Sequence, residues 1–271
     1  MTPTKTFKQT TPPPPPAPST PAAPMTFAVK TGITAAAQRV VLYGVGGIGK
    51  TTLASLAAKP VILDLNRGAD RIEVPKVPFD QIDTLDRVRA LLQHPTFWND
   101  YRTCVLDAGS DLERLCAEWV IRNVKHEKGK AINAIEDYGF GKGLEHIGDA
   151  FDKVIGDFDR LRDRGINIIL VCHEVTEKVP NPLGEDHLQY QPLLQQPPKR
   201  GRNRDRVKGW CDHMLYVNYD KIVSDGKATG QGTRTIYPTE RPTYWAKSRS
   251  LREPIDFVEG SDDVWQQIGL K

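Results

Sequence analysis

Residues 44–52, GVGGIGKTT, contain four glycines and one lysine. The stretch fits the pattern G-x-x-x-x-G-K-[ST] without a mismatch. In this pattern the glycines let backbone N–H groups turn inward around phosphates, the lysine reaches the outer phosphates, and the next hydroxyl holds Mg²⁺. The sequence therefore predicts a site for a nucleoside triphosphate and Mg²⁺. The residues predicted to bind the nucleotide are Gly44, Val45, Gly46, Gly47, Ile48, Gly49, Lys50, Thr51 and Thr52.

A carboxylate should complete the metal site, because Mg²⁺ takes oxygen ligands beside those of the phosphates. Asp107 ends the apolar run TCVLD and is the candidate. The alternative is that Asp107 only precedes a helix, since Ser110 and Glu113 form a capping pattern. With the phosphate loop upstream, the metal role is favoured. Thr51 and Asp107 are thus the predicted Mg²⁺ ligands.

Three further residues have side chains suited to contact a transferred phosphate. His173 lies near the end of the apolar run INIILVCHE, where it can reach the outer phosphate or simply form an ordinary hydrogen bond. Lys247 and Arg249 are two residues apart in AKSR and would project from one face of a strand. They would complete a phosphate site in their own chain or in a neighbour's. The alternative is a solvated basic edge that blocks strand pairing.

These residues need a sheet that brings the ends of several strands together. Short apolar runs alternate with helical patterns, which is typical of an α/β fold with a mainly parallel sheet flanked by helices. The predicted parallel strands are 39–44, 60–65, 103–109, 166–174 and 212–219, and the predicted helices are 50–59, one from about 110, and one over about 143–164. An antiparallel pair, TRTIYP and TYWAKSR, is expected at the C-terminal edge of the sheet.

Composition bounds the domain organisation. With 271 residues, 39% of them hydrophobic, the chain suits one globular domain with appendages. Residues 1–24 hold nine of the 21 prolines and are predicted to be a disordered tail, residues 25–260 the ATPase domain, and residues 261–271 a C-terminal tail.

Charge, cysteines and hydropathy bound the class of protein. The net charge of +3 is too small to indicate a partner. Cys104, Cys116, Cys172 and Cys211 form no C-x-x-C pair and are expected to be reduced, buried thiols. No apolar run approaches the roughly 18 residues of a membrane span, and the N-terminus lacks the apolar core of a signal peptide. A cytoplasmic protein without a membrane partner is therefore expected.

The order of motifs along the chain resembles a known family. YGVGGIGKTT, VILDLNRGAD, VLDAGSD, DYGFGKG, ILVCHE and YWAKSR are together similar to the phage-type RecA-like ATPases, AAA-domain nucleotide-binding proteins linked to single-strand annealing recombinases. The similarity covers about residues 38–257. It implies a RecA-like P-loop core, ATP with Mg²⁺, and homo-oligomers, as rings or filaments, with ATP at subunit interfaces. It also implies single-stranded DNA as a partner, a single-strand binding protein as a further candidate, and, for a phage protein, the bacterial host's cytoplasm.

The resemblance assigns roles to the same residues and shows one departure. Asp107 would hold the metal, His173 would sense the γ-phosphate, and Lys247 and Arg249 would insert into a neighbour's ATP. RecA-like ATPases generally place a water-activating carboxylate just after the second strand, where this chain has Asn66. Asparagine can position a water but cannot accept its proton, and Asp64 is the candidate substitute. Slow hydrolysis with intact ATP binding is predicted.

A basic cluster follows the fourth predicted strand, in the place where RecA-like proteins bind DNA. Six cations meet a single acid there, which suits a phosphate backbone. The predicted DNA-binding residues of this cluster are Lys199, Arg200, Arg202, Arg204, Arg206 and Lys208. Tyr138 and Phe140, in the glycine-rich stretch before the long helix, are candidates to stack on bases. The alternative for the cluster is a solvated basic loop without a ligand.

Two other functions stay open. The phosphate loop is also close to that of the NB-ARC nucleotide switches, although Ala108 follows Asp107 where those proteins have a second acid. Asn66 also suits a non-hydrolysing, ATP-dependent DNA-binding scaffold. A partition ATPase is disfavoured, because Val45 stands where those proteins need a lysine.

Overall fold

A computed structural model of the chain describes residues 29, 31–32, 36–182, 184–195, 203–220, 222–224, 227–229 and 232–270. The chain divides into two units, Met1–Ala35 and Ala36–Lys271, and the helices and strands of the described residues lie in the second. The tail predicted over residues 1–24 lies outside the described residues.

The described chain alternates strands and helices. The strands are β1 (Arg39–Gly44), β2 (Pro60–Asp64), β3 (Lys76–Val77), β4 (Thr103–Asp107), β5 (Asn167–Val179), β6 (His187–Pro192), β7 (His213–Tyr219), β8 (Ile222–Ser224), β9 (Lys227–Thr229), β10 (Arg234–Tyr237) and β11 (Ile255–Asp256). The α-helices are α1 (Lys50–Ser55), α2 (Leu85–Leu92), α3 (Gly109–Asn123), α4 (Lys142–Asp163), α5 (Asn203–Trp210) and α6 (Asp263–Gln267). Single 3₁₀ turns cover Phe79–Gln81, Phe97–Asp100 and Ile135–Tyr138.

The main sheet is parallel at its centre and antiparallel at one edge. Its order is β11-β10-β7-β1-β5-β4-β2-β3, with β7 to β3 parallel and with β10 and β11 antiparallel. The predicted α/β class, with a mainly parallel sheet and an antiparallel C-terminal edge, is confirmed. Because β1 and β4 both run parallel to β5, their carboxyl ends lie beside residues 171–173 of β5, which continues beyond them.

Helices cover both faces of the sheet. The central strands are buried on both sides, which is why their sequences are nearly continuous apolar runs. On one face α4 buries Phe151, Val154 and Phe158, which recur at the three- and four-residue spacing of a helix. On the other face Leu53 of α1 packs with Trp265 of α6. None of the helices in the described chain has the length and apolar character needed to span a membrane.

The four cysteines are free and buried, as predicted. Burial raises the pKa of the thiols of Cys104, Cys116 and Cys172 well above its usual range and that of Cys211 to about 11. These thiols stay protonated near neutral pH and act as small apolar core residues.

Two predicted elements at the C-terminal edge differ from the structure. The predicted strand over residues 243–249 is wrong, because this segment makes only single bridges, Tyr244 to Tyr190 and to Arg241 and Lys247 to Met214. The antiparallel partners of β10 are β7 and β11 instead. β5 also runs beyond its predicted end at residue 174 and forms a hairpin with β6.

The predicted C-terminal tail is also wrong, because residues 261–270 belong to the folded unit. Four apolar side chains are buried against the sheet and α1, namely Val264, Trp265, Ile268 and Leu270. The indole of Trp265 donates a hydrogen bond to the Leu53 carbonyl at 2.6 Å, and the Ala58 N–H donates to the Leu270 carbonyl at 2.9 Å. The end of the described chain thus supports the helix that follows the phosphate loop.

Candidate nucleotide site

The phosphate loop connects β1 to α1 at the carboxyl edge of the sheet. Gly44 packs so closely on β7 that a Cβ there would lie 2.2 Å from the Val217 carbonyl oxygen. Gly49 has φ 101°, in the left-handed region that favours glycine, immediately before the first residue of α1. The predicted strand, glycine-rich loop and helix are therefore all present in the order that phosphate binding requires.

Lys50 folds back over the loop that it follows. Its Nζ donates hydrogen bonds to the carbonyls of Gly44 at 3.0 Å and Val45 at 2.9 Å, and the side chain is buried. Burial lowers the pKa of the Lys50 ammonium, and the Asp107 carboxylate offsets part of this shift. The loop thus holds a cation on its own carbonyls, which phosphate oxygens can replace as acceptors.

Thr51, Asp107 and Asn66 form one hydrogen-bonded group beside Lys50. The Thr51 hydroxyl donates to Asp107 Oδ2 at 2.5 Å, and Asn66 Nδ2 donates to Asp107 Oδ1 at 3.2 Å. Burial raises the pKa of the Asp107 carboxyl, while the hydrogen bond from Thr51 and the charge of Lys50 lower it. The hydroxyl and carboxylate oxygens suit Mg²⁺, which prefers oxygen ligands and takes one or two carboxylates beside phosphate oxygens.

Asp64 organises the loop that carries Asn66. It is buried and pairs in register with Asp107 on the next strand. Its two carboxylate oxygens accept hydrogen bonds from the N–H groups of Gly68 at 2.9 Å and Ala69 at 3.2 Å. Asn66 Oδ1 also accepts from Gly68 N–H, at 2.8 Å. Asp64 therefore has a structural role in this turn.

His173 lies at the same edge of the sheet. It is opposite Gly44 in the β1–β5 register and is partly buried. Its charge, when protonated, lowers the pKa of Asp107 and of Asp111, so it lies within electrostatic reach of both carboxylates. The structure thus brings together five of the predicted residues: Lys50, Thr51, Asn66, Asp107 and His173.

The profile of the AAA domain family matches residues 36–250. The chain belongs to the AAA domain family. Because this AAA domain carries an intact phosphate loop, it is a nucleotide-binding P-loop protein. No sequence among the curated proteins matches it.

Several solved structures are similar to this AAA domain. One is a KaiC-like protein of the hyperthermophilic archaeon Pyrococcus horikoshii OT3, with 13% identity, coverage of 84% of this chain and 88% of that chain, and a TM-score of 0.43. Another is the RadB recombinase, with 14% identity, coverage of 75% and 80%, and a TM-score of 0.36. A third is the flagellar accessory protein FlaH of Methanocaldococcus jannaschii, with 9% identity, coverage of 74% and 77%, and a TM-score of 0.35.

Lys247 and Arg249 lie beside the start of β7, at the amino ends of the AAA domain's parallel strands. Lys247 exchanges backbone hydrogen bonds with Met214, near the start of β7, and its Nζ donates to the carbonyls of Lys208 at 2.9 Å and Cys211 at 2.7 Å. These carbonyls end α5, so Lys247 acts as a cap for that helix. Arg249 Nε pairs with Asp212 Oδ1 at 2.8 Å, while 64% of its side chain stays exposed. None of the contacts described for these two residues is with the phosphate loop of their own chain.

His213, next to this ion pair, makes the AAA domain's stability depend on pH. Burial lowers the pKa of His213 to about 4; Asp212 opposes this shift, and Arg249 and Lys247 add to it. An unfolded histidine has a pKa of about 6.5, so the unfolded chain binds this proton first as the pH falls. The contribution of neutral His213 to the free energy of unfolding is fully present above pH 6.5 and is lost as the pH falls toward 4. After allowance for solvent screening the loss is about 2 kcal/mol.

We therefore expect the melting temperature of the wild type to fall more between pH 6.5 and 4 than that of His213→Asn. Asparagine retains a group that can hydrogen bond to Ser248, whose Oγ lies 2.8 Å from His213 Nδ1. Differential scanning calorimetry of both proteins across this range measures the difference. Parallel pH profiles for the two proteins would contradict the assignment.

The predicted DNA-binding cations occupy different environments. Lys199, Arg200 and Arg202 lie outside the described residues. Arg206 is exposed and pairs with Asp152 at 2.9 Å, whereas Lys208 pairs with Glu240 at 2.9 Å and lies 4.0 Å from the Trp245 ring centre.

Arg204 does not fit the predicted surface role. It is buried, and its guanidinium donates to Glu177 at 2.9 Å, to Gln191 at 2.8 Å and to the Leu194 carbonyl. A DNA phosphate cannot reach a group in this position. Arg204 instead joins the start of α5 to the β5–β6 hairpin.

The two predicted stacking residues separate in the same way. Tyr138 is buried, and its hydroxyl donates to the carbonyls of Val120 and Val124 at the end of α3, so its ring is not available to a base. Phe140 is fully exposed between two glycines with positive φ, Gly139 and Gly141. The glycine-rich stretch thus buries one aromatic ring and presents the other to solvent.

Proposed function

We propose that this AAA domain is a RecA-like, Mg²⁺-dependent ATPase that acts on single-stranded DNA in recombination, annealing or repair. The observation that carries the proposal is the convergence of Lys50, Thr51 and Asp107 at the end of the phosphate loop. A phage origin, with work in the cytoplasm of a bacterial host, is part of the same proposal and rests on the sequence resemblance.

Different residues of the chain would bind the phosphates, the metal ion and the outer phosphate of the nucleotide. Loop N–H groups and Lys50 bind and orient the phosphates. Thr51 and Asp107 hold Mg²⁺, which when bound neutralises charge on the phosphates. His173, beside Gly44 and within electrostatic reach of Asp107, responds to the outer phosphate. Lys50 and Thr51 begin α1, Asp107 ends β4 and His173 lies within β5, so these side chains are held by regular backbone.

Hydrolysis should be slow, because Asn66 stands where RecA-like ATPases have their water-activating carboxylate. The Asn66 side-chain amide donates a hydrogen bond to the Asp107 carboxylate. Asp64 is held by two backbone N–H groups of its own loop. A water beside Asn66 can be oriented by its amide, but the amide cannot take the water's proton.

Arg249 supports a site shared between subunits. Arg249 pairs with Asp212 through Nε while 64% of its side chain stays exposed, and the start of β7 lies at the opposite end of that strand from the phosphate loop. In a ring or filament, Arg249 would therefore contact the phosphates of ATP bound to a neighbouring subunit. Lys247, predicted to act with it, is engaged in capping α5. We assign Lys247 a positioning role.

Single-stranded DNA is the proposed activator. Arg206 and Lys208 lie on α5, directly after the sequence segment that carries Lys199, Arg200 and Arg202. Cations along one segment with an exposed aromatic such as Phe140 suit a single strand, whose phosphates and bases they would contact respectively. A single-strand binding protein is a further proposed partner at the same DNA.

The decisive experiment measures ATP hydrolysis with and without single-stranded DNA. We expect the DNA to stimulate the rate of the wild type several-fold or more, with the effect weakening as salt rises because phosphate contacts are ionic. Lys50→Ala serves as the background control. An ATPase rate indifferent to single-stranded DNA at low salt would contradict the proposal and favour a nucleotide switch.

A second candidate, a non-hydrolysing ATP-dependent DNA-binding scaffold, is favoured by the hydrogen bonds of Asn66 and Asp64. In that case ATP would increase DNA binding without being consumed. Comparing DNA affinity in ATP and in a non-hydrolysable analogue, together with phosphate release, separates the two candidates.

A further inference from the structure

One polar contact reaches the phosphate loop from outside the nucleotide site. Arg234, the first residue of β10, donates a hydrogen bond from Nη1 to the Ile48 carbonyl at 3.0 Å. The Ile48 side chain is fully buried, so the loop cannot easily move away from this contact. Arg234 therefore holds the loop's backbone at the residue before Gly49.

This contact fixes the direction of the next N–H group. The Ile48 carbonyl and the Gly49 N–H belong to one peptide unit, and in a planar trans peptide they point in opposite directions. With the carbonyl held on the Arg234 side, the Gly49 N–H faces away from Arg234, as a phosphate-binding loop requires. A cationic donor on the carbonyl also polarises the peptide, which strengthens the N–H as a donor to an anion.

The guanidinium has two further contacts. It lies over the Phe257 ring at 4.2 Å from its centre and pairs with Glu259 at 3.7 Å. The Arg234 carbonyl accepts a hydrogen bond from the Phe257 N–H at 2.8 Å. A Cβ added to Gly49 would lie 2.9 Å from Arg234 Nη1 and 3.1 Å from the Phe257 ring. The loop thus packs directly on a preformed arginine–phenylalanine pair.

The same C-terminal segment also holds the far end of α1. Trp265 donates to the Leu53 carbonyl, and Leu270 accepts from the Ala58 N–H. A helix of six residues is not stable alone, so its position depends on such contacts. Residues 257–270 and Arg234 together support α1 and the loop before it from the side away from Asp107.

We infer that Arg234 is a positioning residue for nucleotide binding, which orients the Gly49 N–H toward the phosphates through the Ile48 carbonyl. The inference rests on the proposed nucleotide site but needs neither DNA nor hydrolysis. Because it acts on the loop, it should affect ADP and ATP alike.

The test is titration calorimetry of the full chain with Mg²⁺ and ADP, and then with ATP. We expect Arg234→Ala to raise the Kd for both nucleotides about tenfold, since a hydrogen bond from a charged donor is lost. Arg234→Lys, which keeps a charged donor, should recover most of the affinity. Arg252→Ala, at an exposed arginine five residues before Phe257, is the matched control and should bind like the wild type.

A second measurement separates positioning from general loss of structure. The ¹⁵N-labelled Gly49 amide resonance of the nucleotide-free protein should shift in Arg234→Ala and return toward its wild-type position in Arg234→Lys. If Arg234→Ala does not fold, Arg234→Gln takes its place. A wild-type Kd in the neutral variant, or weaker binding with an unmoved Gly49 resonance, would overturn the inference. A wild type that binds neither nucleotide would instead refute the proposed function.

Discussion

Replacing Asn66 with glutamate should raise the rate of ATP hydrolysis about 10²-fold, the lower end of what a positioned general base contributes. Asn66 follows β2 at the edge where Thr51 and Asp107 meet, and its amide already contacts Asp107. Glutamate is one methylene longer, so its carboxylate can extend past Asp107 toward an attacking water. Asn66 is exposed, which leaves room for the longer side chain. Phosphate release at saturating ATP, with Mg²⁺ and single-stranded DNA present, measures the effect.

Asn66→Gln is the matched control, because it has the length of glutamate but cannot accept a proton. We expect it to hydrolyse ATP as slowly as the wild type. Asn66→Asp should be less effective than Asn66→Glu, since the shorter carboxylate would lie against Asp107 and the two like charges would raise each other's pKa. Equal rates for Asn66→Glu and Asn66→Gln would show that proton transfer at this position does not limit the reaction. The non-hydrolysing candidate predicts that both remain inactive.

The parallel sheet and the phosphate loop were predictable because their signals are local. A buried parallel strand needs an unbroken apolar run, and β1, β4 and β5 each have one. The loop's glycines are required by backbone geometry, so their spacing is readable without knowledge of the rest of the fold. Thr51 and Asp107 then meet because parallel strands present their carboxyl ends at one edge.

The errors concern residues whose surroundings come from distant parts of the chain. In the sequence Arg204 is one cation of a basic cluster. In the structure its guanidinium donates to Glu177 and Gln191 on the β5–β6 hairpin. The sequence predicts the same role for Tyr138 and Phe140. In the structure, the Tyr138 hydroxyl donates to backbone carbonyls at the end of α3, which holds its ring in the core. Neither partner set is encoded near the residue in sequence.

Arg234 shows the same limit at the candidate site. Its segment, TRTIYP, predicts a strand in the antiparallel part of the sheet and forms one, β10. Nothing in that pattern indicates that its arginine reaches a loop 186 residues earlier. The apolar spacing of Val264, Trp265 and Ile268 was the available signal that the C-terminus is folded, and it is a short signal in a polar stretch.

Arg249→Ala should lower the rate of ATP hydrolysis about 10³-fold, the effect expected when an arginine that stabilises the transferring phosphate is removed. The substitution should leave the fold intact. Asp212, the partner of Arg249, still accepts three hydrogen bonds from Arg39, through its backbone N–H, Nε and Nη2. Single-turnover hydrolysis of labelled ATP detects rates this low. Arg252→Ala, at an exposed arginine three residues further along, is the control and should keep the wild-type rate.

Mixing two inactive variants tests whether Arg249 acts on a neighbour's ATP. Lys50→Ala lacks a working phosphate loop but keeps Arg249, whereas Arg249→Ala has the opposite defect. In randomly mixed oligomers with head-to-tail interfaces, about a quarter of the sites combine an intact loop with an intact Arg249. Equimolar mixtures should therefore recover a measurable fraction of the wild-type rate, and the recovery should disappear on dilution below the concentration at which oligomers form. Mixed oligomers that stay inactive, or a fully active Arg249→Ala, would show that each subunit hydrolyses ATP without Arg249 of its neighbour.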